Sequence, residues 1–196
     1  MTLKFIVVDG LDGCGKDTHA ERIRRLLEEE GGRTTVISHP SGRLFGRLSK
    51  HFLEGSGPVA RTFATVFFTA DVLVSVAWLK RKGQGTVIFV RYLLGTAYLP
   101  EVLAPHGYQF FRKLLPFPDL ALFIDIEPEV ARRRIASRGH KPEMFETLQK
   151  LAAVRAVVKS LVASEWVTID NSIDGEKPFE SVAEVLRNRS YLRMAV

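Results

Sequence analysis

The chain has 196 residues, 46% hydrophobic and 26% charged, a composition that excludes disordered and fibrous classes and fits one globular domain with a substantial core. A single cysteine excludes an internal disulfide framework and fits a reducing compartment. The net charge of +6 suits nucleic acid or a small anionic substrate, but no zinc-finger spacing or aromatic RNA-binding motif accompanies it, so local phosphate handling is expected and nucleic acid is not.

LKFIVVD (3–9) is a short Val/Ile-rich run closed by glycine, the pattern of a buried parallel strand, and too short an apolar run for a signal peptide. KDTHAERIRRLLEEE (16–30) places Ala20, Ile23, Leu26 and Leu27 on one helical face and stops at Gly31-Gly32. RTTVIS (33–38) reads as a second strand, followed by helices over about 43–53 and 59–82. Within the latter, FATVFFTADVLVSVAWL (63–79) falls short of the roughly 20 residues a bilayer requires and carries Asp71. A buried helix, no membrane association and a cytoplasmic protein are expected.

TVIFV (86–90) is the third strand, with short helices near 94–104 and 107–114. DLALFIDI (119–126) is the fourth, followed by a helix over 128–136, a mobile loop SRGHKPEM (137–144) and a long helix to about 163. EWVTID (165–170) is the last strand, and a final helix starts near Pro178. Five strands separated by helices predict an α/β, three-layer fold with a parallel sheet covered on both faces. Ligands are then expected at the carboxyl ends of the strands. No internal repeat or linker divides the chain, so residues 1–196 are expected to form one domain.

GLDGCGKDT (10–18) sits between the first strand and the first helix. Gly10, Gly13 and Gly15 permit close backbone approach, and successive amides from Asp12, Cys14 and the start of the helix, with Lys16, can cradle the phosphates of a nucleoside triphosphate. Asp17 stands where the phosphate-loop pattern calls for a Ser or Thr hydroxyl on magnesium. A carboxylate is also a hard oxygen ligand, so Asp17 is a candidate metal ligand; a first-turn acid favoured by the helix dipole is the alternative reading. Thr18 lies about 100° further round the helix and is no simple replacement. His19 reads as packing or solvent-facing, and the other histidines show no metal-ligand spacing.

Taken with this loop, HPSGRLFGRL (39–48), VFFTAD (66–71), VIFVRY (87–92), PDLALFIDIEPEVARRRIASRG (118–139) and FE (145–146) resemble the thymidylate kinases. These are P-loop nucleoside-monophosphate kinases that phosphorylate dTMP with ATP. The resemblance implies a P-loop NTPase-type fold with a small LID at about 137–144, ATP and Mg2+ as cofactors, and a homodimer, for which the apolar helices at 63–79 and 148–162 are candidate interfaces. It further implies that Lys16 binds the ATP phosphates, Asp12 faces the acceptor sugar, Phe68 stacks on the base, and Arg91 holds acceptor and transferring phosphate. Arg134 and Arg138 would close over ATP, and Pro40, Arg43 and Tyr92 belong to the acceptor segment. Gly13 stands where some members carry a catalytic Arg.

Three departures from the family pattern bear on activity and substrate. Val90 replaces the acid before Arg91, Val72 replaces an Arg on the substrate helix, and the segment after Pro40 lacks the usual Glu-Arg, leaving Arg43 or Arg61 as substitutes. With Val90, one carboxylate is lost beside the expected magnesium; with Asp17, one is gained. Asp17 is therefore expected to compensate. The expected activity is phosphoryl transfer to a (deoxy)nucleoside monophosphate, dTMP first. dUMP, another deoxynucleotide, another small phosphorylated acceptor, or a non-catalytic nucleotide-binding relative remain the other readings.

Overall fold

The computed structural model describes residues 3–55, 57–137, 147–162 and 164–192. Five strands, β1 (Leu3–Gly10), β2 (Thr34–Ser38), β3 (Gly85–Val90), β4 (Leu120–Asp125) and β5 (Trp166–Asp170), form one parallel sheet in the order β2-β3-β1-β4-β5. Its helices are α1 (Lys16–Glu29), α2 (Leu44–Leu53), α3 (Gly57–Arg81), α4 (Ala104–Leu114), α5 (Pro128–Ala136), α6 (Leu148–Leu161) and α7 (Lys177–Asn188), with a 3-10 turn over Leu94–Tyr98. The α/β reading from periodicity holds, and strand and helix bounds fall within a few residues of those expected. Of the two short helices expected after β3, the first is the 3-10 turn.

The central strands read as continuous apolar runs because both of their faces are covered. Ile6, Val7 and Val8 of β1, Val87 to Val90 of β3 and Leu122 to Ile124 of β4 are buried. Phe5, Phe89 and Tyr92 pack edge to face, with ring centroids 4.9–5.6 Å apart. On α1 the 3.6-residue period buries Ala20, Ile23 and Leu27, and Gly31, at φ 82°, ends the helix. On α6, Leu151, Val154, Val158 and Leu161 face the core, and Arg155 donates to Asp125 at 2.8 and 3.0 Å, tying the helix to the end of β4.

The connection from β3 to β4 crosses over β1, so the chain reverses its direction of sheet growth at the strand that leads into the glycine loop. The register aligns Ser38 with Val90 and Gly10 with Ile124, which gathers the strand ends around that loop. A crevice at such a switch point is where ligands bind in open α/β sheets.

The apolar helix expected to be buried is only half so. α3 packs on α2 and the sheet edge through Ala64, Asp71, Val72, Ser75, Val76 and Leu79. Val59, Phe63, Val66, Leu73, Val74 and Trp78 stand exposed on its other side. By length and composition α3 could cross a membrane, yet Asp71 is fully buried and receives both the amide and the hydroxyl of Ser41 at 2.7 Å. An even distribution of apolar residues around the helix hides from periodicity which stripe is covered. On α6, by contrast, the stripe of Leu151, Val154, Val158 and Leu161 faces the core.

Candidate active site

β1 delivers its last residue, Gly10, to a loop that closes on α1. At Gly13, φ is 79° and an added Cβ would lie 2.7 Å from the Ala131 carbonyl oxygen of α5. The loop and α5 thus touch backbone to backbone, and no side chain fits between them. Gly15 begins α1 in the left-handed conformation with no side-chain cap, which leaves the first-turn amides available to an anion. From the far edge of the sheet, Asn171 Nδ2 donates to the Cys14 carbonyl at 2.7 Å and braces the loop from the end of β5. The Cys14 thiol is buried, and burial pushes its pKa up, so it contributes packing.

Asp12 is the hub of the charged cluster. Its Oδ1 receives the Arg91 guanidinium at 2.5 Å and stands 3.5 Å from Lys16 Nζ, while Oδ2 accepts the Tyr98 hydroxyl at 2.9 Å. Burial by itself raises this carboxylate, but the charges of Arg91 and Lys16 and the Tyr98 hydroxyl bring it down to about 2. Tyr98 is shifted the other way: burial first, then the Asp12 charge, holds its phenol well above the usual value, so it remains a donor. Lys16 also donates to the Leu11 carbonyl at 2.7 Å.

Arg91 follows β3 at φ 60°, an uncommon conformation for a non-glycine residue and one that turns its side chain back over the loop. His39 holds that turn. Its Nδ1 lies 3.2 and 3.1 Å from the carbonyls of Val90 and Arg91, and its Nε2 lies 2.7 Å from Ser75 Oγ. Two carbonyls facing Nδ1 place the ring proton there. Burial lowers the pKa of His39 against the opposing pull of Asp71, in keeping with a neutral ring. The His39–Pro40 peptide is cis.

Asp9, at the end of β1, is a site residue absent from the sequence expectation. Its carboxylate accepts the amides of Gly10, Tyr92 and Leu94 at 2.9–3.0 Å. Burial raises its pKa in spite of those three donors. Asp9 therefore fixes the segment after Arg91 against the loop. An acid at the carboxyl end of an otherwise apolar central strand was the signal available in the sequence; Tyr98 and Asn171 carried none.

The loop separates two clefts. The first has an empty volume of about 1040 Å³ counted out to its mouth. Asp9, Gly10, Asp12 and Arg91 form its inner end, Phe68 and Val72 of α3 one wall, and Gly95, Thr96, Leu99, Phe111 and Leu115 the opposite wall. The Phe68 ring reaches across so closely that a Cβ on Gly95 would meet it at 3.1 Å. Pro40 and Tyr92 line the same cleft. Arg43 does not: it pairs with Asp71 at 3.3 Å and with the Ser75 hydroxyl, and so braces α3 from the side. Arg61, the other substitute considered, does line the cleft.

The second cleft, about 630 Å³ to its mouth, lies across the loop and is bounded by Gly13, Gly15, Thr18, His19, Arg22, Arg134, Asn171, Asp174 and Gly175. Arg134 spans it to Asp174 at 2.6 Å. His19 packs against Phe179, ring centroids 6.0 Å apart, which agrees with its reading as a packing residue. Arg138 and all but the first residue of the LID expected at about 137–144 lie outside the described residues.

The profile of the Thymidylate kinase family matches residues 8–184. The chain belongs to the thymidylate kinase family. It is 31% identical over 188 residues to a probable thymidylate kinase of Archaeoglobus fulgidus, with 93% of this chain and 92% of that protein covered. It is 28% identical over 194 residues to a probable thymidylate kinase of Pyrobaculum aerophilum, covering 94% and 97%. The solved thymidylate kinase of Candida albicans superposes with a TM-score of 0.77 over 97% of this chain and 93% of that one, at 20% identity, a likeness of fold.

Asp17 and Val90, the two departures that concern a carboxylate, both adjoin Ser38. Asp17 Oδ1 accepts the Ser38 hydroxyl at 2.8 Å, and Ser38 is the register partner of Val90. Asp17 is exposed in the first turn of α1. Among the described residues no group of three or more His, Cys, Asp or Glu gathers as a metal site. A donor set of one carboxylate is what magnesium bound chiefly through nucleotide phosphates and water requires, so the residues present fit that ion.

Proposed function

We propose that the chain transfers the terminal phosphoryl group of ATP to the phosphate of dTMP, releasing ADP and dTDP. The bond from the terminal phosphorus to the ADP oxygen breaks as a bond to an acceptor phosphate oxygen forms. The observation that carries the reading is that one glycine loop backs two clefts, with Lys16 and Arg91 meeting on Asp12 at the boundary between them. Phosphoryl transfer asks a protein for alignment and charge neutralisation rather than covalent chemistry, and this boundary offers both.

In this reading the loop amides and Lys16 hold the donor phosphates, and Arg134 closes on the donor from the second cleft. Arg91 draws the acceptor phosphate toward the transferring group, and its constrained backbone keeps the guanidinium aimed at the loop. Asp12 faces the acceptor sugar and Phe68 its base. Asp17, together with the donor phosphates, would hold magnesium, which would supply charge neutralisation on the donor. A second copy of the chain covers the exposed apolar side of α3.

The test is a coupled ADP-release assay with ATP, magnesium and a panel of nucleoside monophosphates. Turnover with dTMP is expected. Tight ATP binding without turnover on any acceptor would overturn the proposal in favour of a protein that only binds nucleotide.

A further inference from the structure

Three hydrogen bonds run head to tail from Arg43 by way of α3 to the backbone of Arg91, and His39 is their middle link. His39 is 2% exposed and sits between Phe68 of α3 and Phe89 of β3, edge to face with both rings at centroid distances of 6.3 and 5.2 Å. That packing fixes the plane of the imidazole and presents its two nitrogens to different partners. Nδ1 faces the carbonyls of Val90 and Arg91 at 3.2 and 3.1 Å. The Val90 carbonyl also takes the His39 amide at 2.9 Å, so the contact that the ring alone supplies is the one to Arg91.

Carbonyls only accept, so Nδ1 carries the proton and Nε2 is the acceptor of a neutral ring. The Ser75 hydroxyl, 2.7 Å from Nε2, therefore gives its single proton to His39 rather than to the Asp71 carbonyl at 3.1 Å. Its oxygen is left to accept from Arg43, whose guanidinium also pairs with the Asp71 carboxylate at 3.3 Å. Every link points one way: Arg43 to Ser75, Ser75 to His39, His39 to the Arg91 carbonyl. Ser75 sets the tautomer, because a ring protonated only at Nε2 would turn a lone pair on two carbonyls. Arg91 needs such a hold, since its φ of 60° is uncommon for a residue with a side chain.

We propose that His39 is a positioning residue for phosphoryl transfer. It holds Arg91 at the reaction centre through the Arg91 carbonyl, and Ser75 of α3 fixes the tautomer that allows it. The inference rests on the role given to Arg91 above. Phe68 packs on the same ring, so the helix that walls the acceptor cleft and the arginine that draws the acceptor phosphate are aligned on one buried side chain.

Asparagine carries an N–H as many bonds from the backbone as Nδ1, and glutamine reaches to the place of Nε2, so two variants separate the two links. His39→Gln keeps the Ser75 contact and loses that to Arg91. Its kcat with dTMP should fall about 10- to 100-fold, the scale of an ångström-sized misplacement, while KM for ATP holds within about threefold. His39→Asn, which keeps the donor to Arg91, should retain at least about a third of the native kcat. Ser75→Ala should lower kcat about 3- to 10-fold in the native chain and no further in the His39→Asn chain, where no tautomer remains to be set. It is read alone where the His39 variants do not fold. Native kcat in His39→Gln or in Ser75→Ala, equal losses in His39→Gln and His39→Asn, or additive losses on combining Ser75→Ala with His39→Asn overturn the inference and leave the kinase reading intact. A native chain inert toward every monophosphate removes the acceptor reading and this inference with it.

Discussion

Replacing Asp12 by Asn tests whether the boundary between the clefts is held by charge. The carboxylate receives Arg91, Lys16 and Tyr98 and is 5% exposed. Its fall from the ordinary 3.8 to about 2 corresponds to roughly 2.5 kcal/mol of native-state stability. Arg91 is 28% exposed, which screens part of that, so about 2 kcal/mol is expected at neutral pH. For a chain of this length that is a fall of about 4–8 °C in Tm. The sign follows from a folded pKa below the unfolded one: the contribution is complete above about 3.8 and is lost as pH falls toward 2. Denaturant melts of the native chain and Asp12→Asn between pH 7 and pH 3 should therefore show a constant gap down to about pH 4.5, narrowing below it. A variant as stable as the native chain at neutral pH, or a gap with no pH dependence, would refute the argument.

Three further outcomes are expected. Gly13→Ala places a Cβ 2.7 Å from the Ala131 carbonyl at a positive φ, and should cost about 2 kcal/mol, read as a fall of about 4–8 °C in Tm by calorimetry. Asp17→Ala should lower magnesium-dependent kcat/KM by at least about a hundredfold, and near-normal turnover would sink the idea that it took over from position 90. Val74→Glu, on the 41%-exposed open side of α3, should convert a dimer into a folded monomer by light scattering, whereas unchanged mass would move the interface elsewhere.

Where the sequence was legible, a single physical cause dominated. Central strands announce themselves because both faces are buried, as at Val87 to Val90, and the loop does so because only glycine fits at Gly13. Where two causes compete, the pattern is silent. α3 is apolar on its covered and its open sides alike, so composition showed a helix and could not show which half meets solvent. The sequence puts Arg43 ahead of Arg61 as the cation of the acceptor segment, and it carries no sign that Arg43 pairs with Asp71. A fully buried acid requires a nearby cation or donors, and Arg43 with Ser41 meets that need. Asp71 in an apolar run was thus a clue to the destination of Arg43 as well as evidence against a membrane span. Asp9, Tyr98 and Asn171 work through backbone groups and through Asp12, contacts made only once the strand ends converge.

The convergence on Asp12 also bears on how two anionic substrates come to share a small site. Lys16 and Arg91 rest on one carboxylate, so neither presents a full unbalanced charge to its cleft. A donor phosphate draws on part of the Lys16 charge that now faces Asp12, and an acceptor phosphate on part of that of Arg91. With less positive charge on it, Asp12 rises toward the ordinary carboxylate pKa and has lone pairs free for another donor. A sugar hydroxyl in the acceptor cleft is the donor chemistry suited to those lone pairs, while Tyr98 Oη, kept protonated by burial and by Asp12, continues to satisfy Oδ2. The same carboxylate that steadies the two cations in the structure can therefore become a contact for the acceptor once phosphates draw on them.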